Sequence, residues 1–208
     1  MRGIMDKEFL YEMLSTASVS GTELELEKKI YHYMKPFADE VRGDEIGDVA
    51  AVINPACPVK VLMTGHADEI GLMVTAIRED GMLSVCNIGG IYTATYPGHK
   101  VRVLTKNGVL YGAVLITRDL MKKADLSPHD LIIDIGASNR EEAQKEVSVG
   151  DRILFDTDYR ELLHERITGR ALDDRLGAFI VMEALKKAKE KGCRVGVYAA
   201  ATVGEETS

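Results

Sequence analysis

The sequence predicts a mixed α/β fold: a mixed, largely parallel sheet flanked by helices, with a small β-barrel-like domain inserted into it. Three observations carry that expectation. Helical periodicity alternates with strand-like runs at both ends of the chain. From Val74 to about His164 the texture changes to short strands separated by turn signals. The run Gly196-Val197-Tyr198-Ala199-Ala200-Ala201-Thr202-Val203 is small, apolar and non-alternating, as in a strand buried on both faces. The resulting division assigns 1–73 and 164–208 to the α/β part and 74–163 to the insert.

In order, Asp6 can cap a short helix with Phe9, Leu10, Met13 and Leu14 on one face. Ser18-Val19-Ser20-Gly21 breaks it. Thr22-Glu23-Leu24-Glu25 reads as a capping box opening a second helix, with Leu24, Ile30 and Met34 inward and an end near Pro36. Asp44-Glu45-Ile46-Gly47-Asp48 reads as a hairpin turn before the strand Val49–Ile53, which Asn54-Pro55 ends. The strand Val59–Thr64 delivers Gly65-His66-Ala67-Asp68-Glu69-Ile70-Gly71. Residues two apart on extended backbone share a face, so His66 and Asp68 point together and Glu69 opposite.

Within the insert, strands are expected at Met82–Cys86, Lys100–Leu104, Val109–Ile116, Leu131–Ile135 and Arg152–Phe155. One helix interrupts them, opened by the capping box Ser138-Asn139-Arg140-Glu141. Afterwards Gly169-Arg170-Ala171-Leu172-Asp173-Asp174-Arg175 leads into a helix carrying Leu176, Phe179, Ile180, Ala184, Leu185 and Ala188, which stops at Gly192. The apolar strand follows and ends in Gly204-Glu205-Glu206.

A net charge of −7 argues against a nucleic-acid surface, which needs a basic stripe. The most basic segment, Lys186 to Arg194, sits where a helix ends and its cations complement the dipole. The N-terminus has no apolar h-region, and no apolar run approaches the ~20 residues of a membrane span. Cys57, Cys86 and Cys193 are far apart and form no Cys-x-x-Cys pair. A reducing cytoplasm is therefore expected.

Three clusters carry chemistry: His66 with Asp68, Asp173 with Asp174, and Glu205 with Glu206. Open α/β sheets build their sites at the carboxyl ends of strands, where these clusters fall. Two adjacent carboxylates after so apolar a strand are costly unless something positive receives them. One imidazole with several carboxylates suits a divalent ion such as Zn, Co or Mn. Singly, each cluster has an ordinary reading. His-x-Asp is commonly a surface pair, and Asp-Asp before a helix is a usual cap. His32, His99, His129 and His164 lack comparable context and read as surface or structural residues.

Taken in order, several motifs resemble the M42 metallo-aminopeptidases, the group that includes tetrahedral and glutamyl aminopeptidases. They are Ser20-Gly21-x-Glu23, Asp44-x-x-Gly47-Asp48, His66-Ala67-Asp68-Glu69-Ile70-Gly71, Asp134-Ile135-Gly136-Ala137, Val149-Gly150-Asp151, Ala171-Leu172-Asp173-Asp174-Arg175 and Glu205-Glu206. The similarity runs along essentially the whole chain. It implies a dinuclear metal-dependent aminopeptidase that releases N-terminal amino acids from short peptides. It implies two divalent ions, zinc or cobalt, with manganese able to use the same ligands. His66 would bind one ion, Asp173 would bridge both through a cis Asp173–Asp174 peptide, and Glu206 would bind the other. Glu205 would be general base and then general acid. Asp68 would fix the His66 tautomer.

The resemblance also implies a homododecamer assembled through the insert. Ala67 stands where the family commonly has Met, a side chain facing away from the site. Family members continue beyond residue 208 and supply a further Asp and His. The chain is therefore expected to be a segment of a longer protein, binding metal weakly and inactive or nearly so. Two other readings remain. One is a non-catalytic assembly or binding module acting through 74–163. The other is a glycoside hydrolase, since some family members carry the label endoglucanase. That chemistry needs two spaced carboxylates, whereas adjacent Glu205 and Glu206 with a His favour a metal.

Overall fold

A computed structural model describes residues 6–207. The chain divides into two compact units, Met1–Glu69 with Asp158–Ser208, and Ile70–Thr157.

The first unit opens with α1 (Lys7–Ser15) and α2 (Leu24–Met34), then β1 (Glu40–Gly43), β2 (Val49–Ile53) and β3 (Lys60–His66). The second unit follows with β4 (Gly71–Ile77), β5 (Leu83–Ile88), β6 (Lys100–Thr105), β7 (Gly108–Val114), α3 (Arg118–Lys122), β8 (Ile132–Asp134), α4 (Arg140–Glu146) and β9 (Arg152–Phe155). The chain returns to the first unit with β10 (Arg160–Leu162), β11 (Arg166–Thr168), α5 (Leu172–Glu190) and β12 (Gly196–Thr202).

The expected mixed α/β architecture is present. The sheet runs β1-β2-β12-β3. β12 pairs antiparallel with β2 and parallel with β3, and β1 pairs antiparallel with β2. The β1–β2 turn closes on Asp44, whose Oδ1 accepts from the amides of Ile46, Gly47 and Asp48 at 3.1, 2.9 and 3.0 Å. A short side-chain acceptor that mimics a backbone turn is the reason Asp suits this place.

One core joins the helices to the sheet. Phe9, Met13 and Leu14 of α1 meet Leu26, Ile30 and Met34 of α2 and Phe179, Met182 and Leu185 of α5. The sheet contributes alternate residues, Val49, Ala51 and Ile53 from β2 and Val197, Ala199 and Ala201 from β12. Alternation places all of these on one face, so the helices cover that face. Each large apolar side chain buried there stabilises by roughly 1.5–3 kcal/mol. On the other face Leu62 of β3 is 65% exposed. At Gly65 the backbones of β3 and α5 approach closely. A Cβ there would lie 2.6 Å from the Gly177 carbonyl carbon and 2.8 Å from the Ala178 Cα.

The second unit is a closed antiparallel barrel in the order β4-β5-β8-β7-β6-β9. Leu72, Val74, Leu83, Val85, Val101, Val103, Ile133 and Ile153 fill its interior. Among the described residues, no helix is long and apolar enough to cross a membrane.

Several local expectations are corrected. No capping box opens α2: the Thr22 hydroxyl donates to the Val19 carbonyl, and Glu23 is already helical, its Oε1 accepting from the Gly21 amide. Leu24 is 61% exposed, because Leu26, Ile30 and Met34 at four-residue spacing define the inward face two positions away. Leu176 and Ile180 are turned outward, since the stripe of α5 that meets the sheet runs through Ala178, Met182 and Leu185. The cap of α4 sits one residue later than expected. Asn139 accepts from the Glu142 amide, and Glu142 reaches back to the Ser138 amide. Helix α3, strand β4 and the β10–β11 hairpin carried no sequence expectation of their own.

Candidate metal centre

Two neighbouring parallel strands bring the polar clusters together. The register sets Thr202 of β12 beside His66 of β3, and the Ala67 amide donates to the Thr202 carbonyl at 2.8 Å. The chain leaving β3 therefore carries Asp68 past the chain leaving β12, which carries Glu205 and Glu206. Asp48, from the β1–β2 turn, holds the end of β12 by accepting from the Val203 amide at 2.9 Å.

Asp173 arrives from a third direction. Ala171 adopts a left-handed backbone at φ 55°, and the Asp173–Asp174 peptide is cis. Regular helix begins only after Asp174, whose Oδ1 accepts from the Gly177 amide at 3.0 Å. Asp174 thus caps α5, and Asp173 projects outward with a side chain 93% exposed.

The imidazole of His66 is the centre of the group. Its Nε2 lies 3.5 Å from Asp173 Oδ1 and 3.7 Å from Glu205 Oε2. Its Nδ1 lies 3.4 Å from Asp68 Oδ1 and 3.2 Å from the Asp68 carbonyl oxygen. His66, Glu205 and Glu206 offer ligand atoms all within 4.8 Å of one another. Asp173 approaches this group through His66. His32, His99, His129 and His164 are exposed and stand outside it.

Several carboxylates converge on Glu206. Burial raises the Glu206 pKa above the carboxylate norm, and Glu205, Asp68 and Asp173 raise it further against the pull of His66. Ligands on one tetrahedral ion with bonds of about 2.0–2.2 Å sit roughly 3.3–3.6 Å apart. The 3.5 Å between His66 Nε2 and Asp173 Oδ1 falls within that span, while Glu205 Oε2, at 3.7 Å, stands just outside it. The residues present therefore fit a divalent ion.

Behind the group lies a buried polar network that sequence reasoning did not assign. Asp68 is fully buried. Its Oδ2 accepts from the Ser20 hydroxyl at 2.6 Å and the Glu206 amide at 3.1 Å, and its Oδ1 from the Glu205 amide at 3.3 Å. Glu69 points the other way. Its Oε1 accepts from the Ser18 amide at 3.0 Å, from Arg175 at 2.7 Å, and from Arg170. Arg175 is also fully buried and donates to the carbonyls of Ala67, Met13 and Thr16 at 3.0, 2.6 and 2.6 Å. Burial lowers its pKa and the Glu69 carboxylate opposes that. The sequence signal was a guanidinium at helical spacing from Ala178, Phe179 and Met182, on the inward stripe of α5.

The fold and this group define a class: an α/β unit with an inserted β-barrel and a His–carboxylate centre at the ends of adjacent parallel strands. The family described as M42 glutamyl aminopeptidase matches residues 47–208, and the chain belongs to it. A lysyl aminopeptidase from Pyrococcus furiosus is 33% identical over 214 residues, covering 98% of this chain and 60% of that protein. The TET aminopeptidase of a marine sediment archaeon, Thaumarchaeota archaeon SCGC AB-539-E09, superposes with a TM-score of 0.89 at 33% identity, over 97% of this chain and 59% of that one. The TET1 peptidase of Pyrococcus horikoshii, which can assemble into a tetrahedron or a large octahedral shell, gives 0.87 at 31% identity, over 97% and 62%. The chain thus spans about 60% of the length of these relatives.

Proposed function

We propose that these residues form part of the centre of a metal-dependent aminopeptidase that releases N-terminal amino acids from short peptides. The observation that carries this reading is the His66 imidazole faced by Asp173 and Glu205, where two adjacent parallel strands end. His66 and Asp173 would hold one divalent ion, and Asp173 and Glu206 a second, with zinc or cobalt the best match and manganese able to use the same donors. When bound, such ions lower the pKa of a water and polarise the scissile carbonyl. Glu205, with a side chain 59% exposed, would take a proton from that water and return it to the leaving amine. Asp68 orients His66 through Nδ1, leaving Nε2 to face the ion.

The unit Ile70–Thr157 is proposed as the self-association domain of a homododecamer acting in the cytoplasm. The assembly of the TET1 relative into a tetrahedron or octahedral shell supports self-association. A glycoside hydrolase fits less well. It needs carboxyl groups roughly 5–9 Å apart across a sugar, whereas here the acids crowd one imidazole. A purely non-catalytic module leaves that crowding without a purpose.

Two protein ligands per ion fall short of the three a catalytic zinc keeps. The 208-residue chain is therefore expected to bind zinc weakly and to lack peptidase activity. Isothermal titration checks this, and tight binding of two ions would show that the ligand count is wrong. In a chain extended to its relatives' length, Glu205→Gln should abolish peptide hydrolysis while metal content and assembly persist. Retained hydrolysis would remove Glu205 from its assigned role.

A further inference from the structure

We propose that Ser20 is a positioning residue: through the Asp68 carboxylate, it fixes where Glu205 and Glu206 stand relative to His66. This rests on the metal-centre reading for its purpose, but its structural content can be tested separately.

Ser20 is 1% exposed and lies on the loop between α1 and α2, remote in sequence from every group in the centre. Its hydroxyl donates to Asp68 Oδ2 at 2.6 Å, the shortest of the polar contacts reaching that carboxylate. The other partners of the carboxylate belong to the centre itself: the Glu206 amide on Oδ2, the Glu205 amide on Oδ1, and His66 Nδ1 beside Oδ1. One rigid planar group therefore ties together the end of β3 and the turn after β12. Ser20 approaches it from outside those two segments. The loop bearing Ser20 is itself fixed, because the Ser20 amide donates to the Glu69 carbonyl at 3.2 Å and the Glu69 amide donates to Ser18.

A buried carboxylate needs several donors to stay charged and still. Without the hydroxyl, Oδ2 keeps the Glu206 amide alone among the contacts named here, and the plane is free to turn about its χ2, a broad torsion for Asp. Turning it lengthens both amide bonds and shifts the pair of acids away from the imidazole. Second-layer partners of this kind typically change metal affinity 10–100-fold.

The test compares the unmodified chain with Ser20→Ala and with Thr22→Val. Thr22→Val removes another hydroxyl bond of the same loop, to the Val19 carbonyl at 2.6 Å, with no tie to Asp68. Amide hydrogen exchange by NMR is expected to rise about tenfold or more at Glu205 and Glu206 in Ser20→Ala and to stay unchanged there in Thr22→Val. Unchanged exchange in Ser20→Ala, or an equal rise in both variants, overturns the proposal. Should Ser20→Ala fail to fold, Ser20→Cys, which keeps the volume and weakens the donor, is read in the same way. A cobalt titration of the same samples should show at least a tenfold weaker affinity in Ser20→Ala. Should the unmodified chain bind cobalt too weakly to titrate, as two protein ligands per ion allow, the exchange data alone decide what Ser20 does.

Discussion

Gly65 of β3 and Ala178 of α5 meet backbone to backbone, with no room between them for a methyl group. The helix that carries Asp173 is seated on the strand that carries His66 at this point, so the contact sets the distance between the two. Gly65→Ala forces strand and helix apart. It should cost about 1–3 kcal/mol, read as a lower urea midpoint with an unchanged slope. A loss under about 0.5 kcal/mol would mean that α5 is seated elsewhere.

Glu69 holds two guanidinium groups, one of them fully buried. Glu69→Ala leaves Arg175 charged without its carboxylate. Breaking a buried pair from one side costs about 3–5 kcal/mol. Chemical denaturation should show a loss of this size, and a near-neutral result would indicate that the carbonyl and hydroxyl acceptors around the two arginines suffice.

Glu206 should behave in the opposite sense. Its pKa is raised in the folded chain, so its ionised form is better tolerated in the unfolded one. At pH 7 it opposes folding, and below about pH 4.3, where it is protonated in both states, the effect vanishes. In metal-free protein, Glu206→Gln should therefore raise the melting temperature at pH 7, with a gain that shrinks to nothing near pH 4. A stabilisation independent of pH would point to a cause other than charge.

Acid should weaken the fold through a different set of groups. Asp39 is held below the usual carboxylate range by the Asn54 amide and Lys189, and Asp130 by Lys123 and the Ser127 amide. Folded pKa values below the unfolded value of about 3.9 give stability that is present above that value and lost as pH falls through the folded ones. Asp39→Asn should lower the melting temperature at pH 7 and leave it little changed well below pH 4, so that the decline on acidification is flattened.

β3 is an edge strand whose Leu62 is 65% exposed, and Ile180 of α5 is 51% exposed. Unpaired apolar edges invite association between chains. Leu62→Lys should reduce concentration-dependent light scattering of the 208-residue chain without lowering its unfolding free energy in urea by more than about 0.5 kcal/mol.

The fold class could be read from sequence because it depends on periodicity. The apolar run 196–202, the Asp44 turn and the inward face of α1 all appear where pattern and turn chemistry place them. Spatial convergence was accessible only through the ordered motifs, since nothing local to His66 announces that Glu205 lies 3.7 Å away. What stayed hidden were partners fixed by burial. Ser20 and Arg175 look like ordinary loop and helix residues until Asp68 and Glu69 are seen to be enclosed. The boundaries at Thr22 and Ser138 slipped by about a residue because the same side chains can satisfy a neighbouring amide equally well.

β3 and β12 are adjacent in the sheet, yet their first residues are 60 and 196 and the whole barrel is strung between them. The barrel is contiguous and has its own core, so it can close on the ribosome while β12 is still untranslated. β2 and β3 must wait through that interval with no strand between them. Nascent chains are thus most exposed to aggregation in the interval before β12 emerges.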